Sequence, residues 1–453
     1  MATNLNRTVS TSTSNNKFTN SVWIKRSELS SGSYRAILTS RLSGSSSSVG
    51  LWFKNDSIAF LNETSSSGYN ENVTTEVFRD VNAWYHIVIA GDTTQSGTDK
   101  LKFYVNGEQI TSFSTDNRSS FVGLQYSFGH SGYDNYIGSK YDGSYQFYGI
   151  MSHYHFIDGT AYDASAFGST DATTGEWKLN TAPNVTYGNN GFFILKDGNS
   201  ITDQSGEGNN WTVANGTLTK TEDCPSNVFC TLNPLTSHDY TFTNGNNTIV
   251  RGSGQSTTMG TFAPSSGKWY WEVKLNSGQS NYPRIGVYKA SNTDNHIHTT
   301  YLGNASGGTG KWWGSGGSGS GNNVIADGNS STTAFYSYNN GDILMFAMDN
   351  DNGKLWFGKN GVWYTNDNSS TTTGTAIGNG TATPAFSTLT VGENWSPSVF
   401  GNDSADNWSC NFGNGYFGTT AVSSQGTNAS NNGIFEYDVP PNFTAISTKG
   451  LNL

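Results

Sequence analysis

Short runs of apolar or alternating residues recur along the whole chain, separated by clusters of Gly, Asn, Ser and Asp. Residues 268–275 alternate between large apolar side chains and mainly polar ones, the period of a strand that packs on one face. Residues 84–90 and 343–348 are apolar on both alternating faces, with His86 as an exception, which predicts buried strands. Helical periodicity is almost absent. The pattern predicts an all-β fold of antiparallel sheets.

Turn signals divide this pattern into two similar halves. Asn106-Gly107 and Asn360-Gly361 each follow an apolar run, and Asn-Gly supplies the positive φ angles of a tight hairpin. The prolines of residues 221–240 mark a boundary between the halves. We therefore expect two tandem antiparallel β-sandwich domains of the jelly-roll type. The expected division is an N-terminal arm at 1–17, a first domain at 18–225, a second domain at 226–420 and a C-terminal extension at 421–453.

Composition excludes several classes of protein. Of the 453 residues, 13% are charged and 13% are aromatic, and the net charge is −10. Disordered chains are poor in aromatic residues, and an acidic chain without a basic run is a poor nucleic-acid binder. No apolar run is long enough to cross a membrane. Three cysteines and the absence of a signal-peptide core at the first residues indicate reduced thiols and synthesis in a cytosol.

The first half resembles a laminin-G-like, concanavalin A-like jelly-roll domain. The residues that carry the resemblance are 84–88 (Trp-Tyr-His-Ile-Val), 102–107 (Lys-Phe-Tyr-Val-Asn-Gly), 136–138 (Tyr-Ile-Gly) and 147–158. Such domains commonly bind glycans, and they often hold one calcium ion through acidic residues at the rim of the sandwich. The resemblance makes Asp92, Asp99 and Asp134 candidate calcium ligands, although they match no ligand motif of the family.

The second half resembles a SPRY domain, a fold that commonly binds peptide segments through its end loops. The matching pieces, in order, are 267–273, 284–287, 341–344, Asp349, 353–357, 360–361, 384–386 and 411–413. Residues 192–211, 229–234 and 435–443 also look like segments of virion proteins from phages of aquatic bacteria. This resemblance implies a protein that is made in the host cytoplasm, is not secreted and becomes part of a virion.

Candidate binding residues come from the Gly- and Ser-rich stretch 303–323, which contains Trp312 and Trp313. Successive side chains of a strand point to opposite faces, so both indoles cannot enter one core. We expect at least one to be exposed and to contact a partner, and the alternative is that the pair folds back over the open end of the sandwich. Tyr282, Tyr301 and His298 are the other candidate binding residues.

Catalytic and metal-binding motifs are weak in this sequence. The Glu-x-Asp-x-x-Glu run of one glycosidase class is missing, because Glu436-Tyr-Asp438 continues into prolines. Residues 305–311 imitate a phosphate-binding loop, but Trp312 replaces the Ser or Thr that binds Mg²⁺. Residues 349–353 begin like a calcium loop, and we interpret them as a hairpin turn. His153 and His155 would share one strand face, as would the two histidines of 296–298. Neither pair has a third ligand at a spacing typical of metal sites, so no metal site is predicted.

The favoured function is a phage virion surface protein: a fibre, spike or capsid-decorating adhesin that recognises a host glycan or protein. One alternative is a purely structural virion component that packs against neighbouring capsid or tail proteins. A second alternative is a polysaccharide-degrading enzyme. The expected partners are other virion proteins and further copies of the chain, with no nucleic acid, no inserted membrane and no cofactor apart from the calcium considered above.

Overall fold

The structure is a computed structural model that divides the chain into two compact units, Met1–Lys220 and Thr221–Leu453. It describes residues 3–29, 33–42, 49–65, 68–124, 128, 131–196, 200–237, 239–254, 256–278, 283–291, 310–314, 324–327, 332–401 and 406–452. Within that part of the chain, no helix has the length and apolar character needed to cross a bilayer.

The first unit is built from sixteen strands among its described residues. They are β1 (Asn4–Thr8), β2 (Lys17–Arg26), β3 (Tyr34–Leu42), β4 (Val49–Lys54), β5 (Ser57–Ser65), β6 (Gly68–Thr74), β7 (Trp84–Asp92), β8 (Leu101–Val105), β9 (Glu108–Ile110), β10 (Phe113–Thr115), β11 (Tyr133–Ile137), β12 (Gly149–Asp158), β13 (Gly168–Thr170), β14 (Trp177–Leu179), β15 (Phe192–Ile194) and β16 (Thr212–Asn215). Short 3-10 helices lie at Gly97–Lys100, Arg118–Ser120 and Ala164–Ala166.

Two antiparallel sheets form the first sandwich. The eight-stranded sheet has the order β10-β6-β5-β4-β3-β11-β1-β16, and the six-stranded sheet has the order β15-β12-β2-β7-β8-β9. Apolar residues of both sheets meet in one core, where for example Phe18 stacks on Phe60 at 5.7 Å between ring centroids. Residues 4–8, which the sequence assigned to an arm, form β1 inside the larger sheet, with Leu5 buried in the core.

The second unit repeats the two-sheet architecture. Its strands are β17 (Tyr240–Thr243), β18 (Thr248–Arg251), β19 (Ser256–Met259), β20 (Lys268–Ser277), β21 (Arg284–Lys289), β22 (Gly310–Gly314), β23 (Val324–Asp327), β24 (Thr332–Ala334), β25 (Ile343–Asp349), β26 (Lys354–Lys359), β27 (Val362–Tyr364), β28 (Thr371–Thr372), β29 (Trp395–Gly401), β30 (Asn407–Asn411), β31 (Tyr416–Phe417), β32 (Thr420–Ala421) and β33 (Thr444–Ala445). One short helix, α1, spans Gly374–Gly378, and 3-10 helices lie at Pro234–Thr236 and Gly450–Asn452.

The larger sheet of this unit has the order β17-β18-β30-β20-β25-β26-β27-β28, and β33 pairs in parallel with β20. The smaller sheet has the order β19-β29-β21-β22-β23-β24. Phe435, Val439 and Phe443, from the segment that the sequence assigned to an extension, pack with Tyr270 and Trp356 on the outer face of the larger sheet. That sheet is therefore covered on both faces. The all-β expectation is confirmed, and the two Asn-Gly pairs form the predicted hairpins.

Candidate functional site

Trp312 and Trp313 are not in an exposed loop, and that expectation was wrong. Both lie in β22, where Trp312 is 2% exposed and Trp313 is not exposed at all. The Trp313 ring packs in the sandwich core against Phe357, and its indole N–H donates to the Tyr336 carbonyl at 2.7 Å. Trp312 points to the opposite face, where Arg284 lies 4.2 Å from its ring centroid.

The physical reason is that both faces of β22 have apolar partners from distant strands. Trp312 joins a second buried cluster with Met259, Tyr288 and Phe400, while Trp313 belongs to the main core. Alternation along the strand was predicted correctly, but burial on both faces depends on residues far away in the sequence. Of the other candidate binding residues, Tyr282, His298 and Tyr301 lie outside the part of the chain that the structure describes.

The three candidate calcium ligands are not gathered into one site. The Asp92 carboxylate accepts hydrogen bonds from Thr94 and pairs with Lys17 at 3.2 Å. Asp99 pairs with Lys102, and Asp134 lies in the other sheet. Among the described residues, no group of three His, Cys, Asp or Glu side chains has the geometry to hold a metal ion.

The remaining motifs have structural positions. Residues 349–353 form the turn between β25 and β26, as predicted, and Asp349 pairs with Lys268 at 3.3 Å. Lys311, the lysine of the phosphate-loop imitation, is buried in β22 and pairs with Asp327. His153 and His155 are buried in β12 at a bulge.

A cluster of aromatic residues on the outer face of the eight-stranded sheet is the best candidate site. Leu51 and Phe53 of β4 point into the core, so Trp52 between them points outward. The register places Trp52 opposite Ala36 on one neighbouring strand and opposite Ala59 on the other. These small neighbours leave room for a large ring to lie on the sheet.

Three rings meet edge to face at this point. Tyr34 and Trp52 have centroids 5.7 Å apart, and Tyr145 lies 6.3 Å from Tyr34 and 6.1 Å from Trp52, all near perpendicular. The Tyr34 hydroxyl donates to Glu71 at 2.6 Å, and the Lys54 ammonium donates to both oxygens of the same carboxylate at 2.7 Å. The rings are therefore held in place by packing and by a polar tether before any ligand arrives.

The Tyr145 ring is presented by the segment 139–148, which crosses from β11 to β12. The Tyr145 backbone has φ of +53°, a region that costs energy for a residue other than Gly. Its carbonyl accepts the Ala36 N–H at 2.8 Å, beside the bulge of β3, which fixes the segment against the sheet. Tyr145 is 44% exposed, so the strained backbone holds a large ring in solvent.

Tyr141 extends the cluster toward β11. The Arg41 guanidinium stacks on Tyr141 at 3.5 Å, and the Lys140 ammonium lies 5.4 Å from Tyr141 and 5.3 Å from Tyr145. We call this surface the aromatic platform; its members are Tyr34, Trp52, Lys54, Glu71, Tyr141 and Tyr145. Trp52 is 3% exposed at the base of the platform, Tyr34 and Tyr141 are partly exposed, and Tyr145 is the exposed ring. An exposed ring surrounded by hydrogen-bonding groups can stack on the apolar face of a sugar while the polar groups bind its hydroxyls.

Sequence reasoning missed this platform because its members are distant along the chain and their spacing follows no motif. One signal was present: in the apolar run 51–53, only one face can enter the core, so Trp52 needed a separate environment. The bulge of β3 and the path of 139–148, which decide what lies over Trp52, have no such signal.

Most of the first unit is similar to one known protein family. Residues 3–165 match the family described as the concanavalin A-like lectin/glucanases superfamily, which confirms the family predicted for this unit. The search of curated proteins returns no match.

Solved structures of SPRY domains, the fold predicted for the second half, are among the structural neighbours. The SPRY domain of human HERC1 has 15% identity and a TM-score of 0.29, over 40% of this chain and 96% of that chain. The TRIM65 PSpry domain has 13% identity and a TM-score of 0.29, over 40% of this chain and 88% of that one. Stonustoxin has 13% identity and a TM-score of 0.28, over 40% of this chain and 28% of that chain.

Proposed function

We propose that the protein is a carbohydrate-binding adhesin on the surface of a phage virion and that the aromatic platform contacts glycans of the host surface. The lectin-like family of the first unit supports a binding role. The resemblance of residues 192–211, 229–234 and 435–443 to phage virion proteins supports the location. The proposal involves recognition without a catalytic step and association with other virion proteins, further copies of the chain among them.

The preorganised aromatic platform is the observation that carries this proposal. Tyr and Trp rings supply a large contact area and lose little conformational entropy on binding, because each has only two side-chain torsions. Here the rings are already fixed by one another and by the Lys54–Glu71 tether. Tyr145 packs on Trp52 with part of its ring, while 44% of the residue stays exposed on a strained backbone, which favours a role in recognition.

Alanine substitution on the platform tests the proposal. We expect Tyr145→Ala to weaken binding of the purified protein to bacterial surface polysaccharides by roughly thirtyfold, the effect of losing about 2 kcal/mol from a binding hot spot. The melting temperature should fall only modestly, because the residue is 44% exposed and its remaining contacts are with Tyr34 and Trp52 at the surface of the sheet. Tyr69→Ala is the matched control: Tyr69 is 68% exposed on β6 of the same unit and should leave binding unchanged.

Two outcomes would contradict the proposal. Equal binding by Tyr145→Ala and the wild type to every polysaccharide would remove the platform as the site. A wild-type protein that binds no host cell or polysaccharide, yet occurs in stoichiometric amounts on the particle, would favour the purely structural alternative. Release of reducing sugar would favour the enzyme.

A further inference from the structure

One end of the aromatic platform carries two cations beside a tyrosine ring. Arg41 lies on β3 and points to the outer face of the sheet, where its guanidinium stacks on Tyr141 at 3.5 Å. The Lys140 ammonium lies 5.4 Å from the Tyr141 ring centroid and 5.3 Å from the Tyr145 ring centroid. Stacking fixes the plane of the guanidinium and leaves its edge, which carries the N–H donors, directed away from the ring.

The donors of both cations are without protein acceptors among the described residues. Within the described part of the chain, the side chains of Arg41 and Lys140 make no hydrogen bond and no ion pair, and the Arg41 Nε is buried without a partner. Other cations of this sheet differ. Lys54 is bound to Glu71 at 2.7 Å, and Arg35 to Glu28 at 2.9 Å.

The nearby carboxylates accept their hydrogen bonds from other residues. Asp134 stands opposite Arg41 in the register of β3 and β11, but its Oδ1 accepts the Thr8 hydroxyl at 2.7 Å. Asp142 accepts both the backbone N–H and the hydroxyl of Ser144, at 3.0 and 2.5 Å. Among the described residues, neither acid forms an ion pair with the two cations, although the Ser144 hydrogen bonds and the charge of Lys140 together lower the pKa of Asp142.

We propose that Arg41 and Lys140 form a subsite for the carboxylate of an acidic sugar, whose ring stacks on the neighbouring tyrosines. A fixed guanidinium offers two parallel N–H donors that match the two oxygens of a carboxylate, and charge-assisted bonds of this kind are among the strongest. The inference rests on the proposed glycan-binding function of the platform and adds the class of ligand: a uronate-containing glycan.

Uronate oligosaccharides with and without their charge test the subsite directly. We would print a panel of uronate-containing hexasaccharides, each beside its methyl ester and its carboxyl-reduced form, and measure binding of the full chain. The acid form should bind at least tenfold more tightly than either neutral form. Arg41→Gln and Lys140→Gln should each remove that preference while leaving the affinity for the neutral forms unchanged. Arg41→Lys should keep only part of the preference for the acid form, because lysine keeps the positive charge but lacks the two parallel N–H donors of the planar guanidinium.

Matched controls separate a local subsite from general charge effects. Lys102→Gln makes the same change of charge on the other sheet and should preserve the preference. A sulfated hexasaccharide distinguishes carboxylate recognition from recognition of any anion, and we expect it to bind more weakly than the uronate.

The outcomes for the subsite and for the platform can be told apart. Equal binding of acid, ester and reduced forms through Tyr145 would overturn the acidic subsite and leave the glycan-binding function standing. A preference for acid forms that survives both Gln variants would place the acidic subsite elsewhere and overturn this assignment. Absence of all binding, with a folded protein, would overturn both proposals. Stronger binding of the sulfated hexasaccharide would overturn the carboxylate assignment.

Discussion

Glu272 is a fully buried carboxyl group that holds a distant segment of the chain. It accepts the backbone N–H groups of Glu436 and Tyr437 at 2.9 and 2.8 Å, the Tyr270 hydroxyl at 2.8 Å and the Asn411 amide at 3.2 Å. Burial raises the pKa of Glu272 to about 7, and the hydrogen-bond donors oppose this shift without cancelling it.

A raised pKa in the folded state predicts the pH dependence of stability in this unit. The folded state holds the proton up to about pH 7, whereas the unfolded chain releases it near pH 4.5. The contribution of Glu272 is therefore full below pH 4.5 and is lost as the pH rises through 7, a change of about 3 kcal/mol in the free energy of unfolding. Denaturant titrations of the wild type and Glu272→Gln at several pH values should show this slope only in the wild type.

An exposed glutamate supplies the control for that experiment. Glu207→Gln should keep the wild-type slope, because Glu207 is in solvent in both states. A Glu272→Gln protein with an unchanged slope between pH 4.5 and 7 would assign the titration to another group.

At the scale of residues, the sequence predicted alternation well and burial poorly. The opposite orientation of Trp312 and Trp313 follows from the geometry of any strand. Their burial does not, because it depends on Met259, Phe357 and Phe400, which lie elsewhere in the sequence. The glycines around Trp312 and Trp313 suggested a loop. Glycine can instead allow two strands to approach closely: a Cβ on Gly286 of β21 would lie 1.9 Å from the carbonyl oxygen of Lys311 in β22. Such glycines also occur where two strands pack tightly.

At the scale of elements, a layer of histidines joins the six-stranded sheet to the segment that covers it. His86 and His155 are buried on the outer face of this sheet among the rings of Phe167, Trp177 and Tyr187. The Trp177 indole N–H can only donate, so His86 Nδ1 at 3.0 Å must accept and the ring must be neutral. Burial lowers the pKa of His86 to about 3 and that of His155 well below its usual value.

The buried histidines predict that the free energy of unfolding of the first unit decreases at acidic pH. The folded state keeps both imidazoles neutral, while the unfolded chain gains protons below about pH 6.5, so stability falls as the pH decreases from 6.5 toward 3. Each histidine adds a slope of up to about 1.4 kcal/mol per pH unit. Urea unfolding of 1–220 between pH 4 and 7 gives the dependence of the free energy of unfolding on pH. In His86→Phe this dependence should be weaker, by the amount that corresponds to about one proton fewer taken up on unfolding.

Phe167→Leu is the comparison for this prediction. It removes part of the same aromatic layer, so it should lower stability at every pH while the slope stays as in the wild type. Identical slopes for the wild type and His86→Phe would mean that His86 does not control the acid response.

The aromatic platform shows what a sequence can predict at this scale. The sequence can predict that β3, β4 and β11 are strands, because each is an apolar or alternating run between turn residues. The sequence does not predict how these strands pair, because the bulge near Ala36 shifts the partner of every residue of β3 that precedes it. A shift of one residue would turn Trp52 into the core.

At the scale of the whole molecule, we expect the two units to fold independently. Each has its own core and its own pair of sheets. Expressed separately, 1–220 and 221–453 should each melt in one cooperative transition, followed by calorimetry. The fragment 1–200 should melt lower or not at all, because it lacks β16, the partner of β1, and Trp211 of the core. If neither complete unit melts cooperatively, the division at 220 is wrong.

The parallel pairing of β33 with β20 means that the second unit can complete its larger sheet only near the end of synthesis. A ribosome completes β1 through β16 before it makes any strand of the second unit, so the first sandwich can close early. In the second unit, Trp269 and Tyr270 of β20 pair with Thr444 and Ala445, which are translated long after them. Until then the outer face of the larger sheet, rich in aromatic side chains, stays uncovered. A ribosome that stalls before β33 would therefore carry a folded first unit and a second unit with an exposed aromatic face. Exposed apolar surface of this kind promotes aggregation and is recognised by chaperones.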